Sequence, residues 1–127
     1  MTLRNIADRP LTDLQQAILD FIWKRGSATA EQVREGLPPD HPLKDPTVRT
    51  LLRRLKARGF LTHRVDGKVF VYQARVPQRR VAARAVQHII ERFCSGSADQ
   101  FLAGMVDEKV LTAGQIARMA KRIRERS

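Results

Sequence analysis

The segment FLTHRVDGKVFVYQA, residues 60–74, restricts the fold of this chain more than any other part of the sequence. It concentrates Val, Phe, Thr and Tyr, and the dipeptide Asp66-Gly67 separates its two runs of β-forming residues. An Asp-Gly dipeptide between such runs favours a two-residue type I′ turn, so the segment predicts a β-hairpin. The rest of the chain has mainly helical periodicity, so the expected fold is mostly α with a small β-hairpin.

Three helices are predicted before the hairpin. Capping boxes mark the starts of the first, the second and a later C-terminal helix, at Thr12 with Gln15, Thr29 with Gln32, and Thr112 with Gln115. Gly26 predicts the end of the first helix. The third is expected to take Asp45 as its N-cap, to place Pro46 at the first helical position and to end at Gly59. Three helices followed by a hairpin predict a winged helix-turn-helix domain over residues 1–75.

The third helix combines an apolar face with a basic outer surface. On a helical wheel its core-facing side is formed by Val48, Leu51, Leu52 and Leu55. The chain has a formal net charge of +11, and the basic excess begins abruptly at residue 44. Arginine can pair with guanine or phosphate, and threonine can contact base edges. With the hairpin, the helix therefore predicts a DNA-binding surface of Lys44, Thr47, Arg49, Thr50, Arg53, Arg54, Arg64 and Lys68.

The C-terminal residues 76–127 predict short helices whose apolar stripes cannot enclose a core of their own. A two-fold copy of the chain would cover them, so we expect a helical dimerisation region. Its expected contact residues are Ile89, Phe93, Phe101, Leu102, Met105, Ile116, Met119 and Ile123. The segment RVPQRRVAARAVQHII also permits a basic helix on a membrane surface. Its arginines form no single broad polar face, which favours a helix that connects the hairpin to the dimerisation region.

Several other functions lack support in the sequence. No apolar run approaches the roughly 20 residues of a membrane span, and the N-terminus has no signal-peptide core, so we expect a cytoplasmic protein without membrane insertion. His41, His63 and His88 are scattered, and no Cys or His pair has metal-ligand spacing, so neither a metal nor a cofactor is expected. No catalytic motif is present, and a catalytic site is therefore not predicted.

Three single residues receive structural interpretations. Cys94 follows Phe93 on a mostly apolar helix and is expected to be a small buried residue, with a thiol sensor or an intersubunit disulfide as the alternative. Trp23 is expected in the core at the end of the first helix. Tyr72 is expected to pack against the third helix, although a hairpin tyrosine could also reach phosphate.

Two stretches carry a family resemblance. LTDLQQAILDFIW and TVRTLLRRLKARGFLTHRVDGKVFVY resemble the first helix, recognition helix and wing of the penicillinase-repressor family, the bacterial winged-helix repressors of β-lactamase and related operons. The shared features are Thr-Val-x-Thr, Leu-x-Arg-Leu, a basic residue before x-Gly, and an aromatic-x-Tyr. The match covers about residues 11–74, and the C-terminal helices match in layout only.

The resemblance implies a homodimer that binds an inverted-repeat operator and is held together by its C-terminal helices. Many family members are inactivated by cleavage after a signal from a membrane sensor-protease, which makes such a system an implied partner. This sequence departs from the family at two points. Pro46 stands where threonine is common, and the Asn-Phe cleavage pair would fall near Gly104-Met105, where it is absent. The Cys-x-Cys motifs of the copper-sensing branch are absent as well.

Together these observations predict a sequence-specific transcriptional repressor that acts as a homodimer on palindromic double-stranded DNA, for a β-lactamase-like or other stress-response operon. The first alternative is a winged-helix protein that binds DNA or RNA without sequence preference. A second is a winged helix used only for protein contacts. Salt dependence and competition with random DNA would separate the three.

Overall fold

The computed structural model describes residues 9–40 and 42–126. Residues 1–8, His41 and Ser127 lie outside the described residues. The elements follow one another as α1 (Asp13–Arg25), β1 (Ser27–Thr29), α2 (Ala30–Gly36), α3 (Asp45–Ala57), β2 (Leu61–Asp66), β3 (Val69–Ala74), α4 (Gln78–Phe93), α5 (Ala98–Asp107) and α6 (Ala113–Arg126). This order confirms the predicted mostly-α fold with a winged helix-turn-helix and C-terminal helices.

The predicted capping boxes form at all three positions. In each, the threonine hydroxyl accepts from the backbone N–H of the glutamine three residues on, whose side chain accepts from the threonine N–H. The prediction for α3 was wrong by one residue. Lys44 is its N-cap and Asp45 its first helical residue, because the N–H groups of Thr47 and Val48 both donate to the carbonyl of Lys44. Gly59 follows the C-cap at φ 86°, as predicted for a residue after the helix end.

The β-structure is larger than a hairpin. β2 and β3 pair antiparallel, and the short strand β1 pairs with the other edge of β3, which gives the order β1-β3-β2. The turn is shifted by one residue from the prediction. Asp66 pairs with Val69, so the two-residue loop is Gly67-Lys68. Gly67 has φ 66° and Lys68 does not share a positive φ, which matches a type II′ turn rather than type I′.

The core lies between α1, α2, α3 and the inner end of the sheet. α3 contributes Val48, Leu52 and Leu55, each fully buried, while Leu51 is partly buried against them. Tyr72 belongs to this core, as expected. The other buried members are Ile18, Leu19, Ile22, Ala28, Ala30, Val33, Leu37, Phe60 and Leu61. The amphipathic face predicted for α3 is therefore the face that packs inward.

The beginning of α4 is anchored to the same core. Trp23 at the end of α1 is partly buried, and its indole N–H donates to the carbonyl of Val76 over 3.0 Å. Val81 in the first turns of α4 also packs against the core. These contacts explain why the N-terminal compact unit ends after Arg84, inside α4. The predicted domain boundary after residue 75 concerns independent folding and stays a prediction.

The C-terminal compact unit begins at Ala85. None of its described residues is buried, although α4, α5 and α6 each carry an apolar stripe. Cys94 lies just after α4 and is half-buried, so the prediction of a buried cysteine was wrong. Within the described residues of this unit, no side chains pack over the apolar stripe beside Cys94 closely enough to bury it.

Candidate nucleic-acid interface

The eight residues predicted to bind DNA lie on the outer surface of α3 and on the hairpin of β2 and β3, here called the wing. All of them are exposed except Thr50, which is half-buried: Lys44, Thr47, Arg49, Thr50, Arg53, Arg54, Arg64 and Lys68. Arg64 lies in β2, and Lys68 lies in the turn between β2 and β3. Their assignment to DNA stays a prediction, and their exposure leaves them accessible to a large ligand.

The side chains on the outer surface of α3 contact one another. Arg49 Nε donates to Asp45 Oδ2 at 2.8 Å, one helical turn back. The Thr50 hydroxyl donates to the carbonyl of Pro46 at 2.9 Å. Arg53 Nη2 then donates to Thr50 Oγ1 at 3.4 Å. Arg49 and Arg53 carry like charges four residues apart, a spacing that disfavours the helix, and the structure gives each of them a polar contact on the same helix.

The charges on α3 act on a residue of the wing strand β3. The hydrogen bond and then the charge of Asp45 raise the pKa of Arg49 above its ordinary value. Burial raises the pKa of Tyr72 in β3, while the charges of Arg49 and Arg53 act in the opposite direction. Both arginines therefore lie close enough to the wing strand to influence its tyrosine. The burial of Tyr72 disfavours the alternative in which its hydroxyl reaches phosphate.

An aromatic cluster extends from the core along the wing. The rings of His63 and Phe70 stack with centroids 4.3 Å apart, and the ring of Tyr72 lies 5.8 Å from His63. Phe70 is 45% exposed, and Val65 and Val69 near the turn are exposed as well. Sequence reasoning overlooked this cluster. Its signal was present in the register, because His63 pairs with Tyr72 and Val65 pairs with Phe70 across the strands.

Arg58 belongs to the structure of the domain more than to its outer surface. Its guanidinium donates to Gln15 Oε1 at 3.0 Å and to the carbonyl of Arg9, and it lies over the ring of Phe60. Burial, and then the charge of Arg9, lower the pKa of Arg58. The side chain of Gln15 also closes the capping box of α1. Arg58 thus connects the end of α3 to the beginning of α1.

A second candidate surface lies on the C-terminal helices. Phe93 is 74% exposed, Ile123 57% and Met119 51%, and Ile89 and Leu102 are also exposed. The remaining predicted dimerisation residues are half-buried: Phe101, Met105 and Ile116. Exposed large apolar side chains at helical spacing are typical of a surface that another chain covers. Their role in self-association stays a prediction.

Neither a metal site nor a membrane-spanning helix is found among the described residues. Within residues 9–40 and 42–126, no group of His, Cys, Asp and Glu side chains is arranged to hold a metal ion. Among the helices described, none combines the length and the apolar character that crossing a membrane requires. His63 lies in β2 and His88 in α4, in different compact units.

Comparison with known proteins extends the similarity to almost the whole chain. The family model for the penicillinase repressor matches residues 11–125. An uncharacterized 16.5 kDa protein in the ptsI 3′ region of Latilactobacillus sakei is 28% identical over 109 residues, 86% of this chain and 75% of that protein. The penicillinase repressor of Bacillus licheniformis is 24% identical over 106 residues, 84% of this chain and 83% of that protein.

Among solved structures, the DNA-binding domain of the repressor BlaI is similar to this chain, with a TM-score of 0.50 and 28% sequence identity. The similarity covers 60% of this chain and 90% of that domain. The matched fold is therefore the winged helix. The family match, in contrast, continues through α4, α5 and most of α6, to residue 125.

Proposed function

The chain belongs to the penicillinase repressor family of DNA-binding transcriptional repressors, and from this membership we propose that it acts as a homodimer on an inverted-repeat operator. In this proposal the chain has no catalytic activity and works in the cytoplasm, where its operator DNA lies. Membership also supports a β-lactamase-like or other stress-response operon as the target.

One observation carries the DNA-binding part of the proposal. The outer surface of α3 presents arginine and threonine side chains beside a wing that carries Arg64 and Lys68, and all except Thr50 are exposed. Arg49 and Arg53 lie within electrostatic reach of β3. A recognition helix in the major groove with a basic wing beside it would contact bases and phosphates together. The solved relative with 28% identity is itself a DNA-binding domain.

The homodimer part rests on the C-terminal helices. Their apolar residues are exposed or half-buried in the single chain, and covering them would remove that surface from water. A symmetric copy supplies a matching surface, because an isologous contact uses the same residues on both chains. Two half-sites read by one dimer also gain effective concentration, which supports an inverted repeat as the operator.

A membrane sensor-protease system is the partner that family membership suggests for induction. Cleavage at the expected place would fall near Gly104-Met105, in the second half of α5. The Asn-Phe pair is absent there, so in this proposal any proteolytic induction uses a different sequence. Incubating the protein with a membrane sensor-protease of this kind, followed by mass determination of the fragments, would show whether the chain is cut and where.

Selection of bound fragments from random double-stranded DNA tests the main proposal. We expect an enriched inverted repeat whose half-sites are separated by about one helical turn, or a multiple of it. Equal binding to random DNA and RNA, with no enriched sequence, would instead support the non-specific alternative. Binding without a steep salt dependence would indicate that the domain makes only protein contacts.

The contribution of the wing can be measured separately. Replacing Arg64 and Lys68 with alanine should weaken binding similarly on the operator and on random DNA, because contacts to phosphate carry no sequence information. The slope of log affinity against log salt should fall by about one unit for each lost phosphate contact. An unchanged slope in this double variant would mean that the wing points away from the DNA.

A further inference from the structure

The outer surface of α3 contains one acid, and that acid is bonded to an arginine. Asp45 is the only carboxylate in the helix, and its Oδ2 accepts from Arg49 Nε at 2.8 Å. The two side chains are 46% and 58% exposed, and an exposed pair of this kind contributes little to stability. On a surface that meets phosphates, a carboxylate also weakens binding by repulsion. Its position therefore suggests a role in how Arg49 is held.

We propose that Asp45 is a positioning residue that fixes Arg49 so that its terminal Nη groups face a guanine in each half-site. The recorded contact uses Nε, and the two Nη groups at the end of the fork can together donate to the O6 and N7 atoms of one guanine. A long arginine side chain loses rotamer freedom when it binds. Holding it in place beforehand reduces that loss on the correct base. This inference rests on the proposed DNA-binding function.

The neighbouring side chains show the same kind of restraint. The Thr50 hydroxyl bonds back to the Pro46 carbonyl, and Arg53 donates to that hydroxyl. Two successive turns of α3 thus hold their outward side chains by contacts within the helix. A second acid, Glu31 in α2, also raises the pKa of Arg49 through its charge. The carboxylate that accepts a hydrogen bond from Arg49 belongs to Asp45, and Glu31 makes no such contact with Arg49. Glu31 therefore provides a matched control for charge without positioning.

The alternative role of Asp45 is to stabilise α3. As an acid in the first turn it interacts favourably with the helix dipole, and its pair with Arg49 has the favourable i,i+4 spacing. A purely stabilising residue would affect thermal stability and the affinity for all sequences alike. It would leave the choice of base at a single operator position unchanged. Base choice is therefore the measurement that separates the two roles.

The experiment compares Asp45→Ala with Glu31→Ala in the whole chain, at one salt concentration. Each variant is measured on the selected operator, on operators with each guanine replaced in both half-sites, and on random duplex. Both variants lose one negative charge, so both should bind random duplex somewhat more tightly. Asp45→Ala alone removes the acceptor for Arg49 Nε, and it alone should lose about tenfold in preference for one symmetric guanine position. Arg49→Ala should lose the same preference, and the double variant should lose no more.

Two outcomes would overturn the inference, and they differ in what else they affect. If the wild-type protein selects an operator and Asp45→Ala keeps every base preference, as Glu31→Ala does, Asp45 does not position Arg49 and the proposed function stands. If the wild-type protein selects no operator, the proposed function fails together with the inference. Circular dichroism of each variant shows whether α3 remains folded.

Discussion

α3 and α6 share an amphipathic pattern of residues but differ in what covers their apolar faces. Both are amphipathic helices with an apolar stripe opposite several basic residues. In α3 the stripe is fully buried at Val48, Leu52 and Leu55, whereas α6 has no buried residue and leaves Ile123 57% exposed. An amphipathic pattern thus indicates that a helix face needs cover, and it does not say which chain provides the cover. The N-terminal unit covers its own helices, and the C-terminal unit depends on a partner in our proposal.

Removing the C-terminal unit is the strongest test of this difference between the two units. A chain that ends at Arg84 keeps Val81 on the core and the hydrogen bond from Trp23 to the Val76 carbonyl, so it should fold as a monomer. Without the second chain it should lose about 10²–10⁴-fold in affinity for the full operator and little for a single half-site. Sedimentation and binding to both duplexes measure these effects. A truncated chain that stays dimeric would show that the N-terminal unit itself carries an interface.

Truncation also removes basic residues, so a variant with unchanged charge is needed as its control. Replacing Ile116 and Ile123 with asparagine places polar groups on the apolar face of α6 without altering net charge. We expect this variant to be monomeric and to lose affinity on the full operator as the truncated chain does. A variant that remains a dimer with full affinity would remove α6 from the interface.

A core substitution tests the self-sufficiency of the N-terminal unit. Leu52 is fully buried in α3, and Leu52→Ala should lower the free energy of unfolding by about 2–5 kcal/mol because it leaves a cavity. In the chain that ends at Arg84, urea denaturation should give this loss at every protein concentration. A loss that depends on protein concentration would mean that the core is completed by a second chain.

The outer surface of α3 should affect binding without affecting the fold. Arg53→Ala or Thr50→Ala is expected to weaken operator binding by about 1–3 kcal/mol and random-duplex binding by less, because in our proposal each removes a contact to bases. The Thr50 hydroxyl also accepts from Arg53, so the double variant should lose less than the sum of the two. Equal losses on operator and random DNA would leave only a phosphate contact for these residues.

The smallest expected effect concerns the attachment of α4. Trp23→Phe keeps a large aromatic ring and removes the hydrogen bond to the Val76 carbonyl. We expect a loss of about 0.5–1.5 kcal/mol in the free energy of unfolding of the chain that ends at Arg84. Val81→Ala provides a comparison, since it disturbs the same attachment by packing alone. No loss in either variant would show that α4 contributes nothing to the N-terminal unit.

The helices could be predicted because their signals are local. A threonine and the glutamine three residues later satisfy each other's backbone groups, so all three capping boxes formed as read from the sequence. The apolar face of α3 was equally readable, since its period alone puts Val48, Leu52 and Leu55 on one side. The basic outer surface followed from the same wheel, because what lies opposite a buried face is exposed.

Features set by distant residues were not readable in this way. β1 has three residues and exists because β3 offers a free edge to it, which its own sequence does not indicate. The turn moved to Gly67-Lys68 because pairing continued to Asp66 and Val69, so cross-strand register overrode the Asp-Gly signal. Asp45 was interpreted as a cap and is instead the partner of Arg49. An aspartate near a helix start can serve as the N-cap or, one position later, as the i,i+4 partner of a basic residue. Because the helix begins at Asp45 and not after it, Asp45 takes the second role.

The central position of β3 has a consequence for the order of folding. β1 pairs with β3 through Ser27–Gln73 and Thr29–Val71. In the chain, the helices α2 and α3 and the strand β2 lie between these two paired strands. Contacts between residues so far apart in sequence form slowly, because the intervening chain must close first. The hairpin can start early as a local structure, but the sheet becomes complete only after α2 and α3 have folded back. We therefore expect amide hydrogens in the β1–β3 ladder to exchange only through global unfolding of this unit, whereas those at the wing tip exchange through local opening.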